Sequence, residues 1–343
     1  AAKPPANTPK KGTPLPRGHG EADRYIPTLQ ARAKIDYKKV RHMTPFTSRL
    51  YSGPADLQAM SDLLIAARAS GRAGEFPGVA SLQQLLARPE LQATTRLWQD
   101  SAGRLAGFAI VHLLYDQLLF EVAPQVETGD LVAQIIAWAE ACVRRAEAVE
   151  GLPVVTLNTS CRADDHGRIA LLERHGFVPQ PVPTLHMVRP LDEPIAAPEL
   201  PPGFSIRPVA GEQEVEALVA LHRAAFGTKR LTVEDRLGWM RAPAYDPALD
   251  LVAVAPDGTL AAYLFCSISR REGHTDPAGT HPAFRRRGLA RALFLTGLRL
   301  LKERGAEVAT FSTWGENTPL QEMARSVGYR VQAATIFFEK RLA

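Results

Sequence analysis

The chain has 343 residues, 45% of them hydrophobic and 22% charged, with a formal net charge of +5. This length allows two domains, each with its own core, and the composition is that of a soluble globular protein. No apolar run approaches the ~20 residues that a bilayer-spanning helix needs, and the N-terminus lacks the apolar stretch of a signal peptide. Cys142, Cys161 and Cys266 stand far apart, without metal-ligand or redox spacing, which favours a reducing cytoplasm over a disulfide framework.

The first 42 residues differ from the rest. They hold ten Lys/Arg and three Asp/Glu, a balance of +7 in a chain of +5, so the remainder is slightly acidic. Early prolines and few large apolar residues make this basic tail, taken as 1–45, a poor core former. Such a tail could touch nucleic acid or a membrane surface. Met43 is also a credible start, and the reading of 1–42 as a leader is preferred, so neither nucleic acid nor membrane is expected as a partner.

From Phe46 a domain is expected to run to 191. Thr47–Tyr51 reads as a strand, Ala55–Ala67 and Ser81–Leu86 as helices, and Thr95–Trp98 and Leu105–His112 as strands paired around the turn at Asp100–Gly103. Leu118–Val122 is a strand, and Leu131–Val149 a long helix closed by Gly151. Val154–Asn158 is a strand, His166–Arg174 a helix stopped at Gly176-Phe177, and Thr184–Val188 the last strand. Five prolines between Pro190 and Pro202 then forbid a sheet or helix, so 192–203 reads as a semi-rigid linker.

The pattern restarts at Phe204 and occupies 204–343. Ser205–Val209 is a strand, Glu212–Phe226 a helix, and Thr232–Arg241 a second helix behind a Thr cap. Leu251–Val254 and Leu260–Ser269 flank an Asp257-Gly258 hairpin turn. Thr275–Thr280 is the fourth strand. Leu289, Leu293, Phe294, Leu298 and Leu301 form one stripe of a helix ending at Gly305. Val308–Ser312, Pro319–Ser326 and Thr335–Glu339 follow as strand, helix and strand. The stops at Gly151 and Gly176-Phe177 recur at Gly305 and Gly328-Tyr329. One plan is used twice, as a domain duplication.

The run Arg285-Arg286-Arg287-Gly288-Leu289-Ala290-Arg291 opens the long helix of the second half. Free N–H groups, the positive end of the helix dipole, arginine charge and small residues at Gly288 and Ala290 suit a pyrophosphate. Arg285, Gly288 and Ala290 match the Arg/Gln-x-x-Gly-x-Gly/Ala pattern, and the lead-in Asp276-Pro-Ala-Gly-Thr-His-Pro282 looks like the strand before it. The segment thus resembles motif A of the GNAT superfamily of N-acetyltransferases, and the order of elements in both halves is similar to the GNAT fold. Tandem members of the mycothiol-synthase-like branch have this layout.

The resemblance implies an α/β (α+β) protein. Two GNAT folds stand in tandem, each a mixed, mostly antiparallel sheet flanked by helices. It implies acetyl-CoA as co-substrate, without a metal, lying in a V between the fourth and fifth strands. Ala278, Gly279 and Thr280 would meet the pantetheine, Arg285–Arg291 the pyrophosphate, and Asn317 the cofactor as a family asparagine does. The reaction would be direct attack of a small-molecule primary amine on the thioester. Asp276 stands where a family glutamate is proposed as base, with His274 and Glu272 as alternatives, and His281 is a loop or cofactor contact. The family tyrosine that serves as acid is replaced by Ala324, which leaves Tyr245, a water or unassisted departure. That gap motivates the alternative of a non-catalytic acyl-CoA-binding or sensing protein.

In the first half the phosphate loop is one residue shorter, and Val126, Glu127 and Asp130 stand in place of arginines. Carboxylates repel a pyrophosphate, so this half is expected to keep the scaffold and lose the cofactor. The chain would then act as a monomer with an internal pseudo-dimer.

Overall fold

A computed structural model describes residues 46–69, 78–126, 128–150 and 156–342. The expected basic tail, Glu127, the helix stop at Gly151 and the strand start at Val154 lie outside these residues.

The first half runs β1 (Thr47–Leu50), α1 (Pro54–Ala69), α2 (Val79–Leu86), α3 (Pro89–Ala93), β2 (Thr95–Gln99), β3 (Leu105–His112), β4 (Gln117–Val122), α4 (Thr128–Glu150), β5 (Thr156–Arg162), α5 (His166–Arg174), β6 (Val178–Pro179) and β7 (Thr184–Pro190). The second runs β8 (Ser205–Pro208), α6 (Val215–Phe226), α7 (Val233–Met240), β9 (Asp250–Val254), β10 (Leu260–Phe265), β11 (Ser267–Ser269), β12 (Glu272–His274), β13 (Ala278–Thr280), α8 (Leu289–Glu303), β14 (Val308–Trp314), α9 (Thr318–Ser326) and β15 (Arg330–Arg341). The short helix α3, opened by Pro89, was not expected; its N-cap is Arg88, a poor sequence signal.

The strands of the two halves do not stay apart. Among the described residues the main sheet has the order β1-β2-β3-β4-β5-β15-β7-β14-β12-β11, with β6 also on β15, and β13-β10-β9-β8 form a second sheet. The closing strands are therefore exchanged. β7 of the first half pairs antiparallel with β14 of the second, from Thr184↔Trp314 to Pro190↔Val308. β15 of the second half pairs with β5 of the first, from Thr335↔Arg162 to Arg341↔Thr156. β7 and β15 pair with each other between them. Buried Arg189 fixes the exchange: its guanidinium donates to the carbonyls of Val327 and, at 2.8 Å, Pro194.

The core of the second half is built on α8. Leu289, Leu293, Phe294, Leu298 and Leu301, the expected stripe, are all buried against β9, β10 and β14 residues such as Leu251, Leu264 and Phe311. Truncating Phe294 to Ala would cost about 3–5 kcal/mol, because a packed core collapses only partly around a lost ring. The helix stops at Gly305, whose φ of +84° only glycine adopts without strain. Residues 192–203 form no helix or strand. They run along α8, where Arg299 donates to Ile195 O at 3.2 Å, and Ile195 and Leu200 pack on the core. No helix among the described residues is long and apolar enough to cross a membrane.

Candidate active site

The sheet forks in the second half. β12 runs parallel to β14 only from Glu272↔Val308 to His274↔Thr310, and the Thr275 N–H still donates to Thr310 O at 3.0 Å. Beyond it the chain passes through a cis Asp276-Pro277 bond, and β13 pairs with β10 instead, Ala278↔Leu264 to Thr280↔Ala262. A single fourth strand over Thr275–Thr280 was expected; only Ala278–Thr280 is strand there, and a separate strand, β12, precedes the break. The cause is local: Pro277 has no N–H for a ladder, while its carbonyl accepts from Phe265 N at 3.0 Å and draws the chain to β10. The result is a wedge between the free edges of β13 and β14. Gly279 lets β13 lie flat on its neighbours, since a Cβ there would come within 2.7 Å of the Tyr263 ring and 2.9 Å of Ala225 Cβ.

β13 leads into the arginine loop. His281 caps the turn Pro282–Phe284, its Nδ1 accepting from Ala283 N–H at 3.2 Å. Arg285 is spent on structure: Nη2 donates to Ala225 O at 2.8 Å, and Nε to Thr280 O at 3.4 Å. Arg286 and Gly288 take left-handed backbones, φ +61° and +80°. Arg286 and Arg287 are exposed, with Arg287 over the Phe284 ring at 5.5 Å. Gly288 is the N-cap of α8, no atom stands within 4 Å of where its Cβ would be, and the first turn carries no acid. An open helix N-terminus flanked by two exposed cations suits an anion by helix-end geometry and charge. The Leu289 side chain is buried, so only its backbone can face that site, while Ala290 and Arg291 are half-buried. Asn317 caps α9, accepting from Leu320 N–H at 3.4 Å.

The acid–base candidates lie on one face of the fork. Asp276 is open to solvent on one side, but the surrounding protein raises its pKa above the ordinary carboxylate range, against opposing effects of the His274 charge and the Ser312 amide. Thr310 Oγ1 lies 3.0 Å from Glu272 Oε1 and 3.0 Å from His274 Nδ1, so these two share a partner before the strands part. Asp276 alone of the three lines a cavity of about 340 Å³, with Trp239, Ala242, Ala244, Tyr245, Phe265, Ser267 and Pro277. The Tyr245 hydroxyl donates to Asp250 Oδ2 at 2.8 Å, a buried carboxylate already paired with Arg236. Burial raises its pKa further, so Tyr245 is poorly suited to give up that proton. Ala324 is fully buried. A phenol that sequence reasoning passed over, Tyr329, is buried with its hydroxyl 2.7 Å from Thr275 Oγ1, at the root of the fork.

The model of the acetyltransferase (GNAT) family matches residues 215–329, which contain this fork and loop. A mycothiol acetyltransferase of Saccharopolyspora erythraea is 31% identical over 241 residues, 64% of this chain and 77% of that protein. The chain belongs to the GNAT acetyltransferase family. A mycothiol acetyltransferase of Kineococcus radiotolerans is 35% identical over 145 residues, 41% of this chain and about half (47%) of that relative's length. Among solved structures, a GCN5-related N-acetyltransferase from Sphaerobacter thermophilus superposes with a TM-score of 0.75 at 24% identity, covering 87% of this chain and 97% of that one. A tandem GNAT protein from the clavulanic acid biosynthesis pathway gives 0.67 at 17% identity, covering 87% and 98%. The tandem GNAT fold expected from the repeat is thus the fold of the chain.

The two GNAT halves differ at their forks. Counting back from Pro124 and Pro282, Leu118 stands where Asp276 does, and Phe120 where Ala278 does. β4 and β5 pair only at Gln117↔Asn158, so the first half forks as well. Its wedge is filled. Arg168 of α5, buried, donates from Nη2 to Phe120 O at 3.1 Å with its guanidinium 3.5 Å from the Phe120 ring centre, and Thr159 Oγ1 donates to Leu118 O at 2.9 Å. Asp130 is exposed in the first turn of α4. The sequence carried a faint signal: Arg168 is three residues after the cap Asp165, where the second half has Leu320 after Asn317.

A second residue was not found by sequence reasoning. His186, on β7, lies beside β14 of the other half because of the strand exchange, on the edge away from the fork and opposite Ser312. Its Nδ1 is 2.9 Å from Ser312 Oγ, and its Nε2 is 2.8 Å from Thr335 Oγ1. At the matching place in the first half, Ser160 faces Phe337.

Proposed function

We propose that the protein transfers an acetyl group from acetyl-CoA to the primary amine of a small molecule, at the fork of the second half. The observation that carries this is the pairing of an open wedge between β13 and β14 with an uncovered helix N-terminus at Gly288, while the wedge of the first half is filled by Arg168. The family and the names of the relatives support acetyl transfer.

In this reading the pyrophosphate rests on the amides of Gly288–Ala290 between Arg286 and Arg287, and Arg285 holds the loop in place. The pantetheine runs along the free edge of Ala278–Thr280, which fixes the thioester beside Asp276. Asp276 takes a proton from the bound ammonium. The neutral amine adds to the thioester carbonyl, the C–N bond forms, and collapse of the adduct breaks the C–S bond. A free strand N–H at the fork stabilises the oxyanion. The raised pKa of Asp276 moves it closer to working pH as a base. Tyr329, hydrogen-bonded to Thr275, is buried with its pKa raised as that of Tyr245 is, so neither phenol is assigned as the acid. The leaving thiolate takes the proton that the adduct's nitrogen gives up, through water.

By sequence we place the two domains at 46–191 and 204–343, joined by 192–203, with the first acting as a non-binding twin that completes the sheet of the second. Ala324, buried and without a hydroxyl, favours a second reading, an acyl-CoA-binding or sensing protein that transfers nothing. Release of free CoA thiol decides between them: transfer requires thiol release that depends on added amine, and binding alone gives none.

A further inference from the structure

The cavity beside Asp276 has an unusual lining for a polar acceptor. Three aromatic rings dominate it. Tyr245 and Phe265 are stacked at 6.2 Å with an interplanar angle of 7°, and Trp239 lies 6.4 Å from Phe265. Trp239 stands at the surface of α7, 38% exposed, and lines the cavity. Ala242, Ala244 and Pro277 add apolar surface. The polar side chains on the wall are Ser267 and Asp276, since the Tyr245 hydroxyl is committed to Asp250.

Charge gives the cavity a direction. The Arg236 guanidinium lies 5.7 Å from the Trp239 ring and 5.9 Å from Phe265, buried and paired to Asp250. The Arg236–Asp250 pair carries no net charge, so the cavity's attraction for a cation comes from Asp276 at the other end. We propose that the acceptor is a primary amine on a flat apolar body, an arylalkylamine in chemical class. Its ring lies against Trp239, Tyr245 and Phe265, and its ammonium meets Asp276 at the fork. A volume of about 340 Å³ holds a small molecule of this kind. A polyhydroxylated amine fits poorly, because its hydroxyls would lose water against ring faces that return no hydrogen bonds. This assignment rests on the acetyl-transfer reading and adds the class of acceptor to it.

The test is amine-dependent thiol release by the full chain with phenethylamine, glucosamine and putrescine. The expected kcat/KM for phenethylamine is at least about tenfold above the other two, a difference of about 1.4 kcal/mol. Trp239→Ala, at a partly exposed position that tolerates truncation, should raise KM for phenethylamine at least about tenfold and leave KM for acetyl-CoA within about twofold; Trp239→Phe should restore most of the loss. Glucosamine or putrescine turned over as well as phenethylamine would overturn the assignment and leave acetyl transfer standing, as would an unchanged phenethylamine KM in Trp239→Ala. Absence of thiol release with every amine would overturn the acetyl-transfer reading, and this assignment with it.

Discussion

His186 Nδ1 lies 2.9 Å from Ser312 Oγ, and the two residues belong to opposite halves of the chain. Burial lowers the pKa of this imidazole, so it is neutral at pH 7, one ring nitrogen donating and the other accepting. The backbone amide of Ser312 faces Asp276. We infer that His186 is a positioning residue: it holds Ser312, and through it the strand edge against which Asp276 sits. Beside Ser160 of the first half the matching place is taken by Phe337 of β15, so the sheet accepts an aromatic ring there. His186→Phe should fold, bind acetyl-CoA within about twofold of the parent, and lose about tenfold or more in kcat with amine. His186→Gln, which keeps a donor and an acceptor, should recover part of it. Stopped assays of kcat and KM for both substrates check this; equal loss in both variants points to a packing role instead.

Asp276→Asn should lower kcat by roughly 10²–10⁴ with little change in acetyl-CoA affinity, the usual worth of a general base. The pH profile carries the sign. Protonation of Asp276 removes the base, and its pKa is raised, so activity falls on acidification at a pH above the ordinary carboxylate range. That acid limb should vanish in the variant. If the limb stays, the role belongs to His274, Glu272 or solvent.

Tyr245→Phe separates structure from chemistry. The lost hydrogen bond to charged Asp250 should cost about 1–3 kcal/mol in denaturant unfolding, while kcat stays within about threefold because the ring remains on the cavity wall. A fall in kcat of a hundredfold would restore Tyr245 as the acid.

The exchange of β7 and β15 makes the linker dispensable after folding. A protease site inserted between Asp192 and Gly203, cut in the native protein, should yield two fragments that elute together and keep activity. Each closing strand stays hydrogen-bonded in the other half along a seven-residue ladder. Fragments that separate in native buffer would rule the exchange out.

Much of this architecture was legible in the sequence because its signals are local. The stripe from Leu289 to Leu301, the glycine stops, the Thr232 cap and the Arg-rich helix start depend on neighbours a few residues away. The capping box at Thr232, with Asp235 returning to the cap N–H, is such a case. The break of the fourth strand was half visible, in the proline after Asp276, but a period-two pattern cannot say which strand the chain joins next. His186 was invisible for a different reason. Its role depends on pairing with a residue 126 positions away, across the duplication. Arg168 reads as an ordinary charge in the first turn of a helix; only the fold aims it at Phe120 O. The aromatic cavity likewise draws together three separate segments, 239–245, 265–267 and 276–277.

One half of the duplicated chain should bind acetyl-CoA, and the other should be closed to it by Arg168. Calorimetric titration of acetyl-CoA into the full chain tests this most directly. One tight equivalent per chain is expected, with affinity falling more than about tenfold in Gly288→Glu, whose carboxylate would stand at the open start of α8. Two tight equivalents, or tight binding that survives Arg286→Glu together with Gly288→Glu, would contradict it and show that the fork filled by Arg168 is a working site.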